Sequence, residues 1–311
     1  MSECVLEVDR CTRIKVIENT ELGRRELWMV LHADTQRSSR RHIQFISLED
    51  YNDRGFITLP LDTNDELLDV TQTQSSKQVV VLIESVVGAQ RLQRKILQLN
   101  IDTEDGVPFY TCTCITNEGN VIAVAGADDA VVTAEKVDGS ETTVFRKYML
   151  EGGRWVSGEP RKVNVDVIMH SVIVNHERVI FLSKWTEDEM RKGVKQHSFS
   201  LDFTDQTTKL DYEHQQCCQE TPGWHICSAH SPEEANDTLL LESPTKALLH
   251  VKKSNGHHEE DRPFYDPRHV ACFRDEETQL RSVFVLLKIF TGTQDERGND
   301  VYKNRVTQLT M

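Results

Sequence analysis

No stretch of this sequence approaches the ~20 consecutive apolar residues that a membrane helix requires, so a helical membrane span is not expected. A secretory leader is not expected either, since Met1 to Arg10 alternates apolar with charged residues instead of forming an apolar core. Long helical periodicity is absent. The best rival is Leu67 to Ser76, where Leu67, Leu68 and Val70 are spaced too closely to hold a helix. There is no Cys-x-x-Cys pair, no Gly-x-Ser-x-Gly and no glycine-rich phosphate loop, because Gly119, Gly126 and Gly139 are scattered. These gaps remove the linear signatures of paired-cysteine zinc sites, of nucleophile-elbow hydrolases and of nucleotide binding. No cofactor, metal or catalytic residue is expected on sequence grounds.

The charge excludes a further class. A net charge of −14 argues against non-specific nucleic-acid binding, and the aromatics that would stack on a single strand are not interleaved with the basic residues. The balance is uneven: residues 1–100 hold 13 Lys/Arg and 15 Asp/Glu, so −12 of the total lies beyond them. The eight cysteines, without a leader, read as free thiols, and the expected compartment is cytoplasm or nucleus.

What is present is strand rhythm. Leu27–His32 and Val79–Ile83 are continuous apolar runs, as expected of strands buried on both faces, and Val79–Ile83 reads as the inner strand of its unit. Cys4–Val8, His42–Leu48 and Phe109–Cys114 alternate. Val121–Val124 reads as a buried strand, followed by an acidic connection from Asp128 to Thr142 and a strand from Val144 to Leu150. The plan returns at intervals of roughly fifty residues. The last unit has only three strands, whereas the first has one too many in front of it. A ring resolves both oddities. The sequence predicts an all-β fold over residues 1–311 as one domain, a β-propeller of six four-stranded blades. Its N-terminal strand, Cys4–Val8, completes the last blade and removes the exposed ends of an open array.

Tyr148, Gly152-Gly153, Trp155 and Pro160 carry a resemblance. A strand ending in Tyr, a glycine turn, a Trp and a following Pro resemble the second half of a kelch repeat, and His42 to Pro60 is a degenerate copy with Phe56 in the aromatic place. The resemblance to kelch-like propellers implies protein recognition through loops on one face of the ring.

The densest soft-ligand cluster is Cys217, Cys218, His225, Cys227 and His230. On a strand from Trp224 to His230, His225 and Cys227 share a face while His230 points the other way, which spoils a tetrahedral zinc site. The basic segments carry more weight. Arg37, Arg40 and Arg41 lie between the second and third strands of the first unit, and Arg91, Arg94 and Lys95 occupy the equivalent region of the second. Corresponding loops of neighbouring blades emerge on one face, and an arginine fork binds carboxylate in pairs. The loop from Lys184 to Lys195 adds Trp185, a hot-spot type. Val86, Val87, Val131 and Val132 read as exposed apolar loop residues, a sign of assembly. The expectation is therefore a non-enzymatic interaction module, a scaffold or adaptor subunit of a larger complex. It would bind a protein or acidic peptide through Arg37, Arg40, Arg41, Arg91, Arg94 and Trp185. The alternative is a propeller hydrolase or lyase with residues scattered around the central channel.

Overall fold

The computed structural model describes residues 5–8, 11–31, 42–62, 65–87, 91–105, 107–116, 119–169, 171–175, 177–186, 192–205, 208–214, 218–221, 224–229, 238–242, 248–252, 265–274, 281–294 and 300–310. Among them there is no helix. One strand, β1 (Val5–Val8), precedes the first sheet, which is formed by β2 (Cys11–Asn19), β3 (Arg24–Leu31), β4 (His42–Ser47) and β5 (Arg54–Thr58). The second has β6 (Asp65–Gln72), β7 (Val79–Val87), β8 (Arg91–Glu104) and β9 (Val107–Thr116). The third has β10 (Val121–Gly126), β11 (Ala130–Lys136), β12 (Thr143–Glu151) and β13 (Arg154–Ser157), with β14 (Arg161–Val163) also on β12. The fourth has β15 (Ile173–Asn175), β16 (Arg178–Thr186), β17 (Lys192–Ser200) and β18 (Lys209–His214). β19 (Cys218–Thr221), β20 (Trp224–Ala229), β21 (Thr238–Glu242) and β22 (Leu248–Lys252) form the next sheet. The last has β23 (Tyr265–Arg274), β24 (Arg281–Gln294) and β25 (Asp300–Thr310), with β1 as its outer strand.

Every sheet is an antiparallel meander whose first strand lies innermost. The inner strands touch in sequence: β2 lies against both β23 and β6, β6 against β10, β10 against β15, and β19 against β23. This is the plan of a β-propeller. The closure is the expected one, with Val5 opposite Thr307 and Val8 opposite Asn304. Glu7 lies 3.7 Å from Lys303 and 3.8 Å from Arg305 across that seam.

The core lies between sheets, which explains the continuous apolar runs. Along β3, Leu27 and Met29 pack toward the last sheet with Ala271, Phe284 and Leu286, while Trp28 and Val30 pack toward the second sheet. Along β7, Val79, Val81 and Ile83 face the first sheet, and Val80 and Leu82 face β10 and β11 of the third. The third and fourth sheets meet through Phe145, Phe181 and Phe199, with ring centroids 4.9–5.7 Å apart. Each buried face of a strand removes apolar surface worth about 25 cal/mol per Å², so a two-faced strand contributes to both of its seams.

Three expectations need correction. The acidic connection from Asp128 to Thr142 contains β11, whose Val131 and Val132 are fully buried rather than exposed in a loop. Val79–Ile83 belongs to the second strand of its sheet, and β6 is the inner one. Arg91, Arg94 and Lys95 sit on β8, and Trp185 sits on β16 opposite Gly193, so all four are on strands rather than loops. The glycine turn does form: Gly152 and Gly153 have φ of +56° and +80° between β12 and β13, a region that glycine occupies without a Cβ penalty.

Candidate functional site

Of the residues expected to bind a partner, Arg37, Arg40 and Arg41 lie outside the described residues. For Arg91 and Trp185 only the strand position is described. Arg94 is engaged within the fold. Its Nε donates to Glu84 at 2.9 Å and its Nη1 to the Val121 carbonyl at 2.9 Å, which ties β8 and β7 to the start of β10. Within the soft-ligand cluster, Cys217 and His230 are outside the described residues, and the register places Cys218 opposite Cys227. Among the described residues no group of three or more His, Cys, Asp or Glu is arranged to hold a metal ion.

Three polar constellations deserve comparison. In the first, Glu26 is buried at 1% exposure and accepts from Trp28 Nε1 at 2.7 Å and from Arg24 Nε at 2.8 Å. Arg24 also pairs with Asp53 and lies over the Phe45 ring. Burial, with Glu26 nearby, pushes the Tyr110 hydroxyl up to about 12. Both Glu26 oxygens are committed within the first sheet, at the seam against which Tyr110 of the second sheet packs. The second is Ser183 and His197, joined at 2.8 Å with the imidazole stacked on Phe181. Both side chains are buried, and Val167 bridges to Ser183 from the preceding segment.

The third is open. A groove of about 520 Å³ lies between the outer part of the third sheet and the turn joining β17 to β18, lined by Lys147, Glu159, Arg161, Lys162, Asp202 and Asp205 among others. Arg161 begins β14, and its guanidinium stacks over Phe199 at 4.3 Å. Its Nη1 donates to the Asp205 carbonyl, while Nε is buried and has no hydrogen-bond partner among the described residues. Burial draws the Arg161 guanidinium below its ordinary value, against the pull of Asp205. Across the groove, Asp202 accepts from Ser200 Oγ at 2.5 Å, Thr204 Oγ1 at 2.8 Å and Thr204 N at 3.1 Å. These bonds, chiefly the one from Ser200, hold its carboxyl down at about 2. Asp205 accepts from Ser200 N at 2.9 Å. The backbone of Phe203 at the turn has φ of +64°, a region that a bulky side chain rarely enters and that the surrounding bonds must enforce.

The sequence reading missed this groove, although one signal was available. Ser200-Leu201-Asp202 stands where Ser47-Leu48-Glu49 stands in the first sheet, after the third strand. There too the Ser hydroxyl donates to the acid two residues on, Ser47 Oγ to Glu49 at 3.3 Å.

No protein-family model matches the sequence, and no curated protein matches it either. Solved structures do. Trypanosoma rangeli sialidase in complex with 2,3-difluorosialic acid, a covalent intermediate, is similar with a TM-score of 0.52 at 11% identity, over 98% of this chain and 59% of that one. The same sialidase in complex with sialic acid gives a TM-score of 0.50 at 11% identity, over 97% of this chain and 54% of that one. The subtype N10 neuraminidase-like protein of A/little yellow-shouldered bat/Guatemala/060/2010 gives 0.47 at 8% identity, over 98% and 96%. The chain thus spans a little over half the length of the trypanosomal sialidases. At such identities the similarity is one of fold, and that fold is the β-propeller. It also corrects the expectation of a non-enzymatic interaction module. The sialidase neighbours are hydrolases, which backs the alternative of a propeller hydrolase better than the scaffold reading.

Proposed function

We propose that this chain is a propeller hydrolase acting on an anionic, hydroxyl-rich substrate such as an acidic glycoside. The observation that carries the reading is the groove at Arg161, an open site where three cationic and three carboxylate side chains line one space beside a strained turn. It lies between neighbouring sheets, not around the channel where the sequence reading looked. Hydrolysis needs a group to hold the substrate, a group to move a proton and a fixed charge to stabilise the transition state. Arg161, with Lys147 and Lys162, supplies the positive side for an anionic group. Asp202, held at about 2, stays ionised at neutral pH and provides a fixed negative charge for developing positive charge. Glu159, exposed on the rim, is assigned the proton transfer to the leaving oxygen and from the attacking water. The likeness to a sialidase in complex with sialic acid agrees with an acidic sugar as the class to try first.

The test is a panel of fluorogenic acidic and neutral glycosides offered to the purified chain. The expected result is turnover of an acidic member, a kcat lowered about 10²–10⁴-fold in Glu159→Gln, and a selective rise of KM for acidic substrates in Arg161→Met. No turnover across the panel, or a Glu159→Gln chain as active as the native one, would refute the reading.

A further inference from the structure

We infer, building on the proposed reading of the Arg161 groove, that its substrate is an acidic glycoside with an apolar aglycone, an alkyl or aryl group that lies on Met149 and Val156. Residues directly opposite in an antiparallel ladder point to the same side, so β12 and its outer partners form a row of same-face pairs. Toward the fourth sheet the row runs Phe145 with Arg161, Lys147 with Gly158, Met149 with Val156, and Glu151 with Arg154. Phe145 is buried against Phe181 and Phe199, and exposure then rises along the row. Arg161, Lys147 and Gly158 line the groove. The next pair is apolar and open, with Met149 40% and Val156 43% exposed. The other face of the same strands is covered, since Tyr148 is buried and Trp155 packs into the seam with the second sheet. Met149 stands about 7 Å along β12 from Lys147, and Gly158 puts no side chain between the apolar pair and Arg161.

Exposed apolar residues are ordinary on a protein surface; here their place beside unspent cations selects the occupant. Among the described residues neither the Lys147 nor the Lys162 ammonium group is paired with a carboxylate. Arg161 gives one nitrogen to the Asp205 carbonyl, which is neutral. The acids across the groove are already answered: Asp202 by Ser200 and Thr204, Asp205 by the Ser200 N–H, with Arg178 at 3.8 Å. Of the lining acids, Glu159 alone has no such partner among the described residues. The groove therefore offers positive charge that the fold leaves uncompensated, and the shelf beside it offers apolar surface to water. An anion without a tail would leave Met149 and Val156 wet, and an apolar molecule without charge would leave the cations unanswered. A carboxylated sugar joined to an apolar group satisfies both.

Isothermal titration of the full chain with methyl and hexyl β-glucuronides tests this, beside a Met149→Ser/Val156→Ser chain and Arg161→Met, each checked for native circular dichroism. Each methylene that leaves water tightens binding about fourfold, so a hexyl chain on the shelf should lower Kd about tenfold or more relative to methyl. In the doubly substituted chain that ratio should fall to within about threefold, with the methyl compound bound as before. In Arg161→Met both compounds should weaken together, with the ratio kept. Equal Kd for the two glucuronides, or no binding of either by the native chain, overturns the inference. So does a ratio retained in the doubly substituted chain, since the hexyl group would then lie elsewhere. Turnover of the same compounds is scored separately. Chain-length-dependent binding without turnover upholds the ligand class and refutes hydrolysis, whereas binding and turnover indifferent to chain length leave hydrolysis standing and overturn the apolar aglycone.

Discussion

Gly126→Ala is the substitution that most directly tests the ring of inner strands. Gly126 ends β10, and its N–H donates to Thr71 Oγ1 of β6 at 2.9 Å. A Cβ added there would lie 2.0 Å from the Gln72 carbonyl oxygen and 2.5 Å from its carbon, so the obstacle is backbone rather than a movable side-chain tip. The end of β6 would have to retreat by about 1 Å, within the range where overpacking costs about 1–3 kcal/mol. Gln72 is not loose enough to retreat freely. Its side chain exchanges hydrogen bonds with the backbone of Glu18, accepting from N at 2.9 Å and donating to O at 2.8 Å, and so fastens β6 to β2. The next turn is also bound to the third sheet, Gln74 N to Ala127 O at 2.8 Å and Ser75 N to Asp128 O at 3.0 Å. Losing the Gly126 bond adds about 1–2 kcal/mol for a buried unpaired N–H, giving about 2–5 kcal/mol in all and a Tm lower by roughly 3–8 °C. Urea unfolding followed by circular dichroism measures this. Gly139→Ala is the control, because Gly139 has φ of +71° but nothing within 4 Å of its added Cβ, which should cost only about 1 kcal/mol. A Gly126→Ala chain no less stable than the Gly139→Ala chain would show that β6 and β10 do not approach as closely as described.

Two further outcomes are expected from the seams between sheets. Glu26→Ala should destabilise by about 1–3 kcal/mol, since it leaves the buried Trp28 indole N–H unpaired and takes from Arg24 one of its two carboxylates; the tryptophan emission and the urea midpoint report it together. Cys11, buried in the seam between the first and last sheets, has its thiol pushed up to about 12 by burial. A folded pKa above the unfolded one means that the unfolded chain holds fewer protons between pH 9 and 12, so stability should fall with rising pH there, by up to about 1.4 kcal/mol per unit. In Cys11→Ala that component of the alkaline slope should vanish; an unchanged slope would assign it to other groups.

Much of the fold was legible because propeller sheets bury both faces of their middle strands. Leu27–Leu31 and Val79–Ile83 have no polar alternation since each face has its own apolar neighbour sheet, and the run of apolar letters reports that directly. The closure was legible for a topological reason: β1 is surplus at one end of the chain and missing at the other. β11 was hidden by its flanks. Asp128 and Asp129 before it and Asp138 after it give the stretch the look of a solvated loop, yet the Ala130-Val-Val-Thr-Ala134 between them is buried throughout. The small alanines signal how closely the neighbouring sheets approach. β8 misled in the opposite way, since its basic start looked like a loop but belongs to a strand of 14 residues.

The groove was illegible because its parts are distant in sequence. Arg161 and Asp205 are 44 residues apart and meet only because the third and fourth sheets are neighbours. A linear scan weighs each arginine alike, whereas the fold separates them by what their donors already hold. Arg94 spends its Nε on Glu84 and its Nη1 on the Val121 carbonyl and Asn120. Arg146 sits on Glu135 at 3.0 Å, two residues along β11 from its register partner Thr133. Arg161 gives one nitrogen to a neutral carbonyl and rests its face on Phe199. A guanidinium paired with a carboxylate has its charge offset within the fold, while one held by a carbonyl and a ring keeps its charge for an incoming anion. By that criterion Arg161, aligned by an aromatic ring between two sheets, is the arginine that the proposed reading uses, whereas Arg94 fastens one sheet to the next.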